Sequence, residues 1–484
     1  MKKYIIGVDE GTTSCRSVLY DVTKNEIVDI SSCSFKSIYP EVGWVEQDAE
    51  KIYKNQLKTI KTLVDKVGQE SIIALGITNQ RETVVAWNKK TGKPIYNAIV
   101  WQCRRTADFI SSIPKDMLAK IKQKTGLIAD AYFSASKIKW ILDNVPQAKE
   151  LLKEDNLCIG TIDSFLTYRL TGQFVTDTSN ASRTMLFNIH TLEWDDELLE
   201  YFGIPKQILP KIVSSSQIIG KVLKYDFTLA SIIGDQQSSL FGQGCHNIGK
   251  AKATYGTGGF ILLNTGNQPV FSDKLLTTIA YTIDGKTNYA LEGSIYSASS
   301  LVNFMKDNLG FFFNPADTEN MAKSVKDTNG VYFVPAFTGL GAPYWNSNSR
   351  AIITGINFDT KKEHIVRAGL ESMAYNTKAI LDCIDIPQNK ILELKVDGGC
   401  SKNDFLLQFL ADLTNSKVIK NKESEATAMG AIFLAGLATK TFNLKQINKL
   451  IASSKVYKPK LKSENANKLY YGWQKAVNQA TFID

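Results

Sequence analysis

The sequence predicts an α/β protein made of two related lobes that face each other across a cleft. Three observations support this. Asp9-Glu10-Gly11-Thr12-Thr13-Ser14 follows the apolar run Tyr4 to Val8, and Thr254-Tyr255-Gly256-Thr257-Gly258-Gly259 precedes the apolar run Phe260 to Leu263. The order strand, strand, strand, helix, strand that opens the chain starts again after Gly249. Glycine lets backbone approach a ligand closely, and the N–H and hydroxyl groups of such turns hold phosphate oxygens. One Gly/Thr turn in each half suggests a nucleotide held between the lobes. We set the domains at residues 1–248 and 249–484, where the pattern restarts without a low-complexity linker.

Residues 4–8, 17–21 and 26–35 read as three strands joined by tight turns. Ile52, Leu57, Ile60, Val64 and Val67 recur at helical spacing after Asp48, a good N-cap. Ile72 to Thr78 reads as a buried strand, and Thr83 to Trp101 as a hairpin turning at Thr91-Gly92-Lys93. In the second half, strands are expected around 252–263, 275–282 and 288–294, with a helix near 298–309. Val331 to Pro335 is another strand. Thr360-Lys361-Lys362-Glu363 has the form of a capping box before a helix whose apolar face carries Ile365, Val366, Leu370, Met373, Ala374 and Leu381. Ile391 to Val396 reads as a strand, and Asp404 to Leu413 and Glu425 to Ala438 as helices.

The formal charge of +9 comes from 57 basic and 48 acidic residues. Lys51, Lys54, Lys58 and Lys61 lie on an apparent helix face, so the excess reads as solvated surface, and no nucleic-acid partner is expected. The tail from Lys455 to Lys475, with Tyr457, Tyr470, Tyr471 and Trp473, reads as a docking helix. Seven isolated cysteines without a C-x-x-C pair exclude a disulfide framework and a structural zinc site, and three histidines cannot build a histidine-rich metal centre. The apolar start is too short for a signal peptide. Ala428 to Ala438 is half a membrane span and reads as a buried helix. A cytoplasmic chain without membrane insertion is expected.

No G-x-x-x-x-G-K-[ST], G-x-G-x-x-G or G-x-S-x-G segment is present, which argues against P-loop, dinucleotide and hydrolase chemistry. Carboxylates stand instead beside small turns: Asp9, Asp235 in Gly234-Asp-Gln-Gln237, and Asp397 before Gly398-Gly399. Such a carboxylate can hold Mg²⁺ through water or take a proton from an attacking hydroxyl.

Longer segments carry a family resemblance. Gly76-Ile-Thr-Asn-Gln-Arg-Glu-Thr83, the run Gly92 to Thr106 through Trp101, Asn180-Ala-Ser-Arg-Thr-Met-Leu-Phe-Asn-Ile189, Gly234-Asp-Gln-Gln237, Tyr255-Gly-Thr-Gly258 and Pro335-Ala-Phe-Thr-Gly-Leu-Gly-Ala-Pro-Tyr-Trp345 resemble the FGGY carbohydrate kinases, and among them the glycerol kinases. The match is collinear from Tyr4 to about Ala438. It implies two actin-like, ribonuclease-H-like ATPase domains facing across a catalytic cleft, with the polyol in the first lobe and ATP held mostly by the second. It implies that Arg81, Glu82, Tyr132, Asp235 and Gln236 bind glycerol between Trp101 and Phe260, with Asp235 the general base. Asp9 would organise Mg²⁺. Thr12, Thr13, Ser14, Arg16 and Thr257 would line the triphosphate, and Ser299, Asn303, Gly399 and Asn403 the adenosine end. Dimers and tetramers occur among such proteins. A triol offers hydroxyls and little apolar area, so a selective site needs such a polar set.

Some positions depart from that pattern. Glu10 replaces the usual Gln and is expected to put a charge beside the phosphate turn. Ser299 and Asn303 stand where Gly and Gln are usual near adenine, and Asn346 replaces Asp. The segment from Gly220 to Ser231 lacks the Gly-Gly-Thr-Arg loop that binds fructose 1,6-bisphosphate, and has Asp226 where other members carry a phosphorylated histidine. Neither control is expected. The alternatives are an FGGY kinase for another polyol or sugar such as a tetritol or pentulose, an actin-like scaffold, and a regulator that binds glycerol without turnover.

Overall fold

The computed structural model describes residues 3–384, 393–422, 425–451 and 453–482. Strands β1 (Tyr4–Glu10), β2 (Ser14–Asp21) and β3 (Glu26–Ser34) form an antiparallel meander. Helix α1 (Ala49–Val67) covers it, and the Asp48 carboxylate accepts the Lys51 N–H at 3.0 Å, as its N-cap position predicts. β4 (Ile72–Asn79) pairs parallel to β1 and is buried almost throughout, since helices cover both faces of a central parallel strand. β5 (Ser216–Lys221) and β6 (Thr228–Gly234) follow, and β6 runs parallel to β4. Helix α2 (Asp235–Gly242) starts directly at the end of β6.

The second half contributes β7 (Lys250–Tyr255), β8 (Gly259–Gly266), β9 (Leu276–Ile283) and β10 (Lys286–Ile295), then helices α3 (Ser299–Asp307) and α4 (Lys362–Leu381). β11 (Glu393–Asp397), α5 (Asp404–Thr414), β12 (Lys417–Asn421), α6 (Ala426–Ala438), β13 (Ser453–Tyr457) and α7 (Ser463–Thr481) complete it. All thirteen strands join one sheet in the order β13-β12-β11-β7-β8-β10-β9-β5-β6-β4-β1-β2-β3. The arrangement β3-β2-β1-β4-β6, an antiparallel meander followed by parallel additions to its first strand, recurs as β10-β8-β7-β11-β12. The two units meet where β5 lies beside β9, at Ser216 and Ile283.

The two halves exchange helices. The second-half helix α6 lies over the first-half strands β1 and β4, and crosses α2 at small residues. A Cβ on Gly242 or Gly430 would come within 2.0 Å of a carbonyl oxygen of the facing helix. The Ser238 hydroxyl donates to the Thr427 carbonyl at 2.6 Å, and that of Ser231 to Ala431 at 2.7 Å. Glu46–Gln47, just before α1, joins Ala98–Ile99, Val84–Asn88 and Leu157–Thr161 from between β4 and β5 in a smaller four-stranded sheet.

Several expectations change. The stretch 252–263 is two strands hinged at the Gly/Thr turn, and the second half has four strands before its helix because the β9–β10 hairpin widens the repeat. Thr360 does not cap α4. Its hydroxyl turns back to the Asn357 N–H at 2.9 Å, and the Lys361 N–H donates to His364 Nδ1 at 3.0 Å one residue later. The expected hairpin 83–101 is loose, with Val84 opposite Ile99 and a single bridge from Trp87 to Pro94. Residues 391 and 392 of the expected strand lie outside the described residues; Glu393–Asp397 forms it. The tail docks as α7, with Trp473 stacked on Tyr375 at 5.2 Å between ring centroids. Among the described residues no helix is long and apolar enough to cross a membrane.

Candidate active site

The ends of β4, β6 and β10 bring one set of charges together. After β4 the chain turns sharply, and Glu82 sits at φ 61°, the left-handed region that a buried glutamate adopts only when its surroundings compel it. This turn aims Arg81 and Glu82 inward. Arg81 Nε lies 3.3 Å from Asp235 Oδ1 and 3.9 Å from Glu82 Oε1. Its Nη1 donates to Gln237 Oε1 at 3.2 Å, and its two terminal nitrogens reach both oxygens of Glu292 at 2.5 and 3.0 Å. Arg183 closes the ring, donating to Glu82 at 2.7 Å and to Glu292 at 3.0 Å. Trp101 meets Tyr132 edge-on with centroids 5.5 Å apart, and Phe260 lies 6.0 Å from the Arg81 guanidinium. Gln236 Nε2 donates to Asp235 Oδ2 at 3.1 Å.

The seven expected polyol residues therefore converge. Their exposure separates their chemistry: the Arg81 and Glu82 side chains are at most 2% exposed, while that of Asp235 is 27% exposed and faces open space. Burial alone would lift the Glu292 carboxyl, but Arg183 and Arg81 overcome it and hold the group down to about 2. Burial raises Glu82 against the opposing pull of Arg81 and Arg183, and raises the Tyr132 phenol, which stays protonated and able to donate.

The first Gly/Thr turn is tied from below. Gly11 N–H donates to the Ser14 carbonyl at 3.0 Å, Gln47 Nε2 to the Thr12 carbonyl at 2.7 Å, and Trp101 Nε1 to the Thr12 hydroxyl oxygen at 3.0 Å. The indole uses that oxygen as acceptor and leaves its proton free to donate. Thr13 is exposed and Ser14 partly so. Arg16 ion-pairs with Glu425 at 2.6 Å, across to the start of α6. In the second turn Thr257 is exposed, and the Ser299 N–H donates to the Gly256 carbonyl at 2.9 Å, which fixes α3 against it. Asn303 is exposed on α3. A Cβ on Gly399 would touch nothing within 4 Å, so that turn opens to solvent. Asn403 is engaged at both ends: it caps α5 by accepting the Leu406 N–H at 3.0 Å and donates to Thr318 at 3.3 Å.

Desolvation pushes the Asp9 carboxyl up to about 7, Arg16 opposes this, and Asp235 and Glu425 add to it. A desolvated carboxyl facing further carboxylates fits a hydrated divalent cation, which would relieve that repulsion. Among the described residues no cluster of three His, Cys, Asp or Glu could cage a bare metal. Glu10, expected to add a charge, lies beneath the turn rather than on it. It is wholly buried, Oε1 accepts from Gln80 at 3.1 Å and Oε2 has no partner. Burial raises its carboxyl well above the ordinary range and so disfavours the charged form there, against the hydrogen bond from Gln80.

Glu292, Lys252 and the Arg16–Glu425 pair escape sequence reasoning. The available signal was a lone charge inside an apolar strand, Glu292 within Tyr289-Ala-Leu-Glu-Gly-Ser-Ile295 and Lys252 within Ala251-Lys-Ala253. Arg183 and Gln237 stood in quoted motifs without a role.

Comparison with known proteins follows this geometry. Residues 4–242 match the N-terminal domain, and residues 251–439 the C-terminal domain, of the FGGY family of carbohydrate kinases. The chain is 47% identical to a glycerol kinase of Thermococcus onnurineus, covering 99% of this chain and 98% of that protein. It is 49% identical to a glycerol kinase of Mycoplasma capricolum, covering 100% and 98%. The structure of Plasmodium falciparum glycerol kinase with ADP superposes with a TM-score of 0.92 at 36% identity, covering 99% and 98%.

Proposed function

The chain belongs to the FGGY family of carbohydrate kinases, and from that premise we propose that it phosphorylates glycerol with ATP to give sn-glycerol 3-phosphate and ADP. The observation that carries this reading is the 3.3 Å approach of Arg81 to Asp235 on the accessible side of the cleft. There a guanidinium and a carboxylate can engage neighbouring hydroxyls of one small alcohol. We assign Glu82, Tyr132 and Gln236 to the remaining polar contacts, and Trp101 and Phe260 to the carbon chain. Asp235 takes the proton of the attacking primary hydroxyl. That oxygen forms its bond to the γ-phosphorus as the bond to the β–γ bridging oxygen breaks and ADP leaves in line. Thr12, Thr13, Ser14, Arg16 and Thr257 position the triphosphate; Arg16 exchanges Glu425 for phosphate when ATP enters. Ser299, Asn303 and Gly399 border the adenosine, and Asn403 supports that edge from its capping position.

Mg²⁺ would be held by Asp9 through water together with phosphate oxygens, where it neutralises charge on the phosphates. Placing the domain division at residues 248 and 249, the chain in the cytoplasm with its ATP, and the assembly as a homodimer or homotetramer belongs to the same proposal. A scaffold protein has no use for the Arg81, Glu82 and Tyr132 ring. Steady-state turnover of glycerol with ATP and Mg²⁺, read by coupled ADP release, is the expected result. Preference for a tetritol or pentulose over glycerol, or no turnover of glycerol, would displace the assignment.

A further inference from the structure

We infer that Lys252 is a positioning residue for phosphoryl transfer, orienting the Asp235 carboxylate through Gln236 from the opposite lobe. The inference rests on the kinase reading above. Lys252 lies wholly buried on β7, two residues before the second Gly/Thr turn narrows. Its ammonium donates to Gln236 Oε1 and, at 2.8 Å, to the Thr254 hydroxyl. Among the described residues it forms no ion pair with a carboxylate. A buried ammonium held only by neutral oxygens destabilises a fold, so its place here calls for another reason.

The hydrogen bonds supply one. With its Oε1 taken by Lys252, the Gln236 amide must turn Nε2 to Asp235 Oδ2 at 3.1 Å, while the Gln236 backbone N–H donates to Asp235 Oδ1 at 2.7 Å. The carboxylate is thereby fixed at both oxygens. On the other side Thr254 lies 3.5 Å from the Ser239 hydroxyl, which donates to Asp397 Oδ2 at 2.9 Å. Asp397 Oδ1 is buried without a partner. Lys252 thus stands midway along a polar chain from the base to the turn at the nucleotide end. The charged groups facing it are Asp235 on α2, Asp397 on β11, Glu292 on β10 and Arg81 after β4. Burial pulls its ammonium down to about 8, against the opposing effect of Asp397 and Asp235.

Lys252→Met in the full chain tests this, assayed with glycerol, ATP and Mg²⁺ beside the parent. Turnover by the parent decides the kinase reading by itself; the ratio of variant to parent decides the role of Lys252. The variant is expected to lose about 30- to 100-fold in kcat while KM for glycerol moves less than about threefold. Its melting temperature should stay close to the parent's, because relief of the buried ammonium's desolvation offsets the lost hydrogen bonds and the attraction of Asp397 and Asp235. The parent's kcat should fall as pH rises through about 8, and the variant should lack that limb. In an Asp235→Asn background the same change should cost less than about threefold, since both act on one group. A kcat near the parent's, an unchanged alkaline limb, or full multiplicative loss on Asp235→Asn would overturn the proposal. So would a variant that melts lower or fails to fold, since the ammonium would then be holding the fold rather than the base.

Discussion

Asp235 and Glu10 are two carboxyls near one cleft that do opposite things because solvent reaches only one of them. Asp235 is partly open and hydrogen-bonded at both oxygens by Gln236, so it is placed to receive a proton from an incoming hydroxyl. Asp235→Ala is expected to lose about 10²- to 10⁴-fold in kcat with ATP binding intact, measured by turnover and nucleotide titration. Near-normal turnover would remove Asp235 as the base. Glu10 is sealed beneath the first Gly/Thr turn with an unpartnered oxygen, and burial holds its carboxyl well above the ordinary range. Glu10→Gln removes a carboxyl whose charged form burial already disfavours, and kcat/KM for ATP should stay within about threefold of the parent. If Glu10 were charged there, the same change would tighten ATP by about tenfold, near 1.4 kcal/mol. The sequence pattern shows Glu10 beside a Gly/Thr turn, but only the fold shows its burial, which raises the carboxyl against the hydrogen bond that Gln80 donates to it.

At the scale of elements, a helix with one wet face was legible: α1 shows its stripe and its Asp48 cap in the sequence. Elements buried on both faces carry no period: β9 and β10 read as strands near 275–282 and 288–294, but β7 and β8 run together as one stretch, and the lone charge inside β10 gives no direction. That charge is Glu292. From β10, in the second half, it holds Arg81 and Arg183 at the proposed polyol site. Glu292→Gln leaves Arg81 and Arg183 buried with less compensation, which costs about 3–5 kcal/mol when a buried pair is broken. The expected result is a lower melting temperature and a KM for glycerol raised about tenfold or more, the loss shared by both arginines. Helix 162–171 offers a test by pH. Burial, reinforced by nearby Asp177, raises Asp163 to about 7 in spite of hydrogen bonds from Thr161 and Thr176. Unfolding at neutral pH therefore releases a proton from this site. Its contribution to stability falls as pH rises from the unfolded value near 4 to about 7 and stays lost above it. Asp163→Asn should gain in stability relative to the parent between pH 5 and pH 8, by at most about 4 kcal/mol, read as a rise in melting temperature. An Asn variant that tracks the parent at every pH would contradict a protonated Asp163.

In the whole molecule, the resemblance reached the two-lobe plan, whereas the way the lobes are joined emerges from the coordinates. The exchange of α2 and α6 places Asp235, the proposed base, at the start of one helix and Glu425, the partner of Arg16, just before the other. A movement of one helix over the other therefore shifts both ends of the transfer path at once. Closure of the lobes is expected on binding, because water in an open cleft would compete with glycerol for the γ-phosphate. The glycine contact between the helices is where such sliding must occur without separation. A Cβ on Gly430 would stand 2.0 Å from the Ser238 carbonyl oxygen, which is backbone and cannot rotate aside. Gly430→Ala must therefore push α2 and α6 apart, destabilising the fold by about 1–3 kcal/mol through overpacking. It should also lower kcat although residue 430 lies away from the reacting atoms. Small-angle scattering with glycerol and a non-hydrolysable ATP analogue should show the parent contracting and the variant contracting less. Equal contraction with a full kcat would mean that the helix crossing is passive packing and that closure hinges elsewhere.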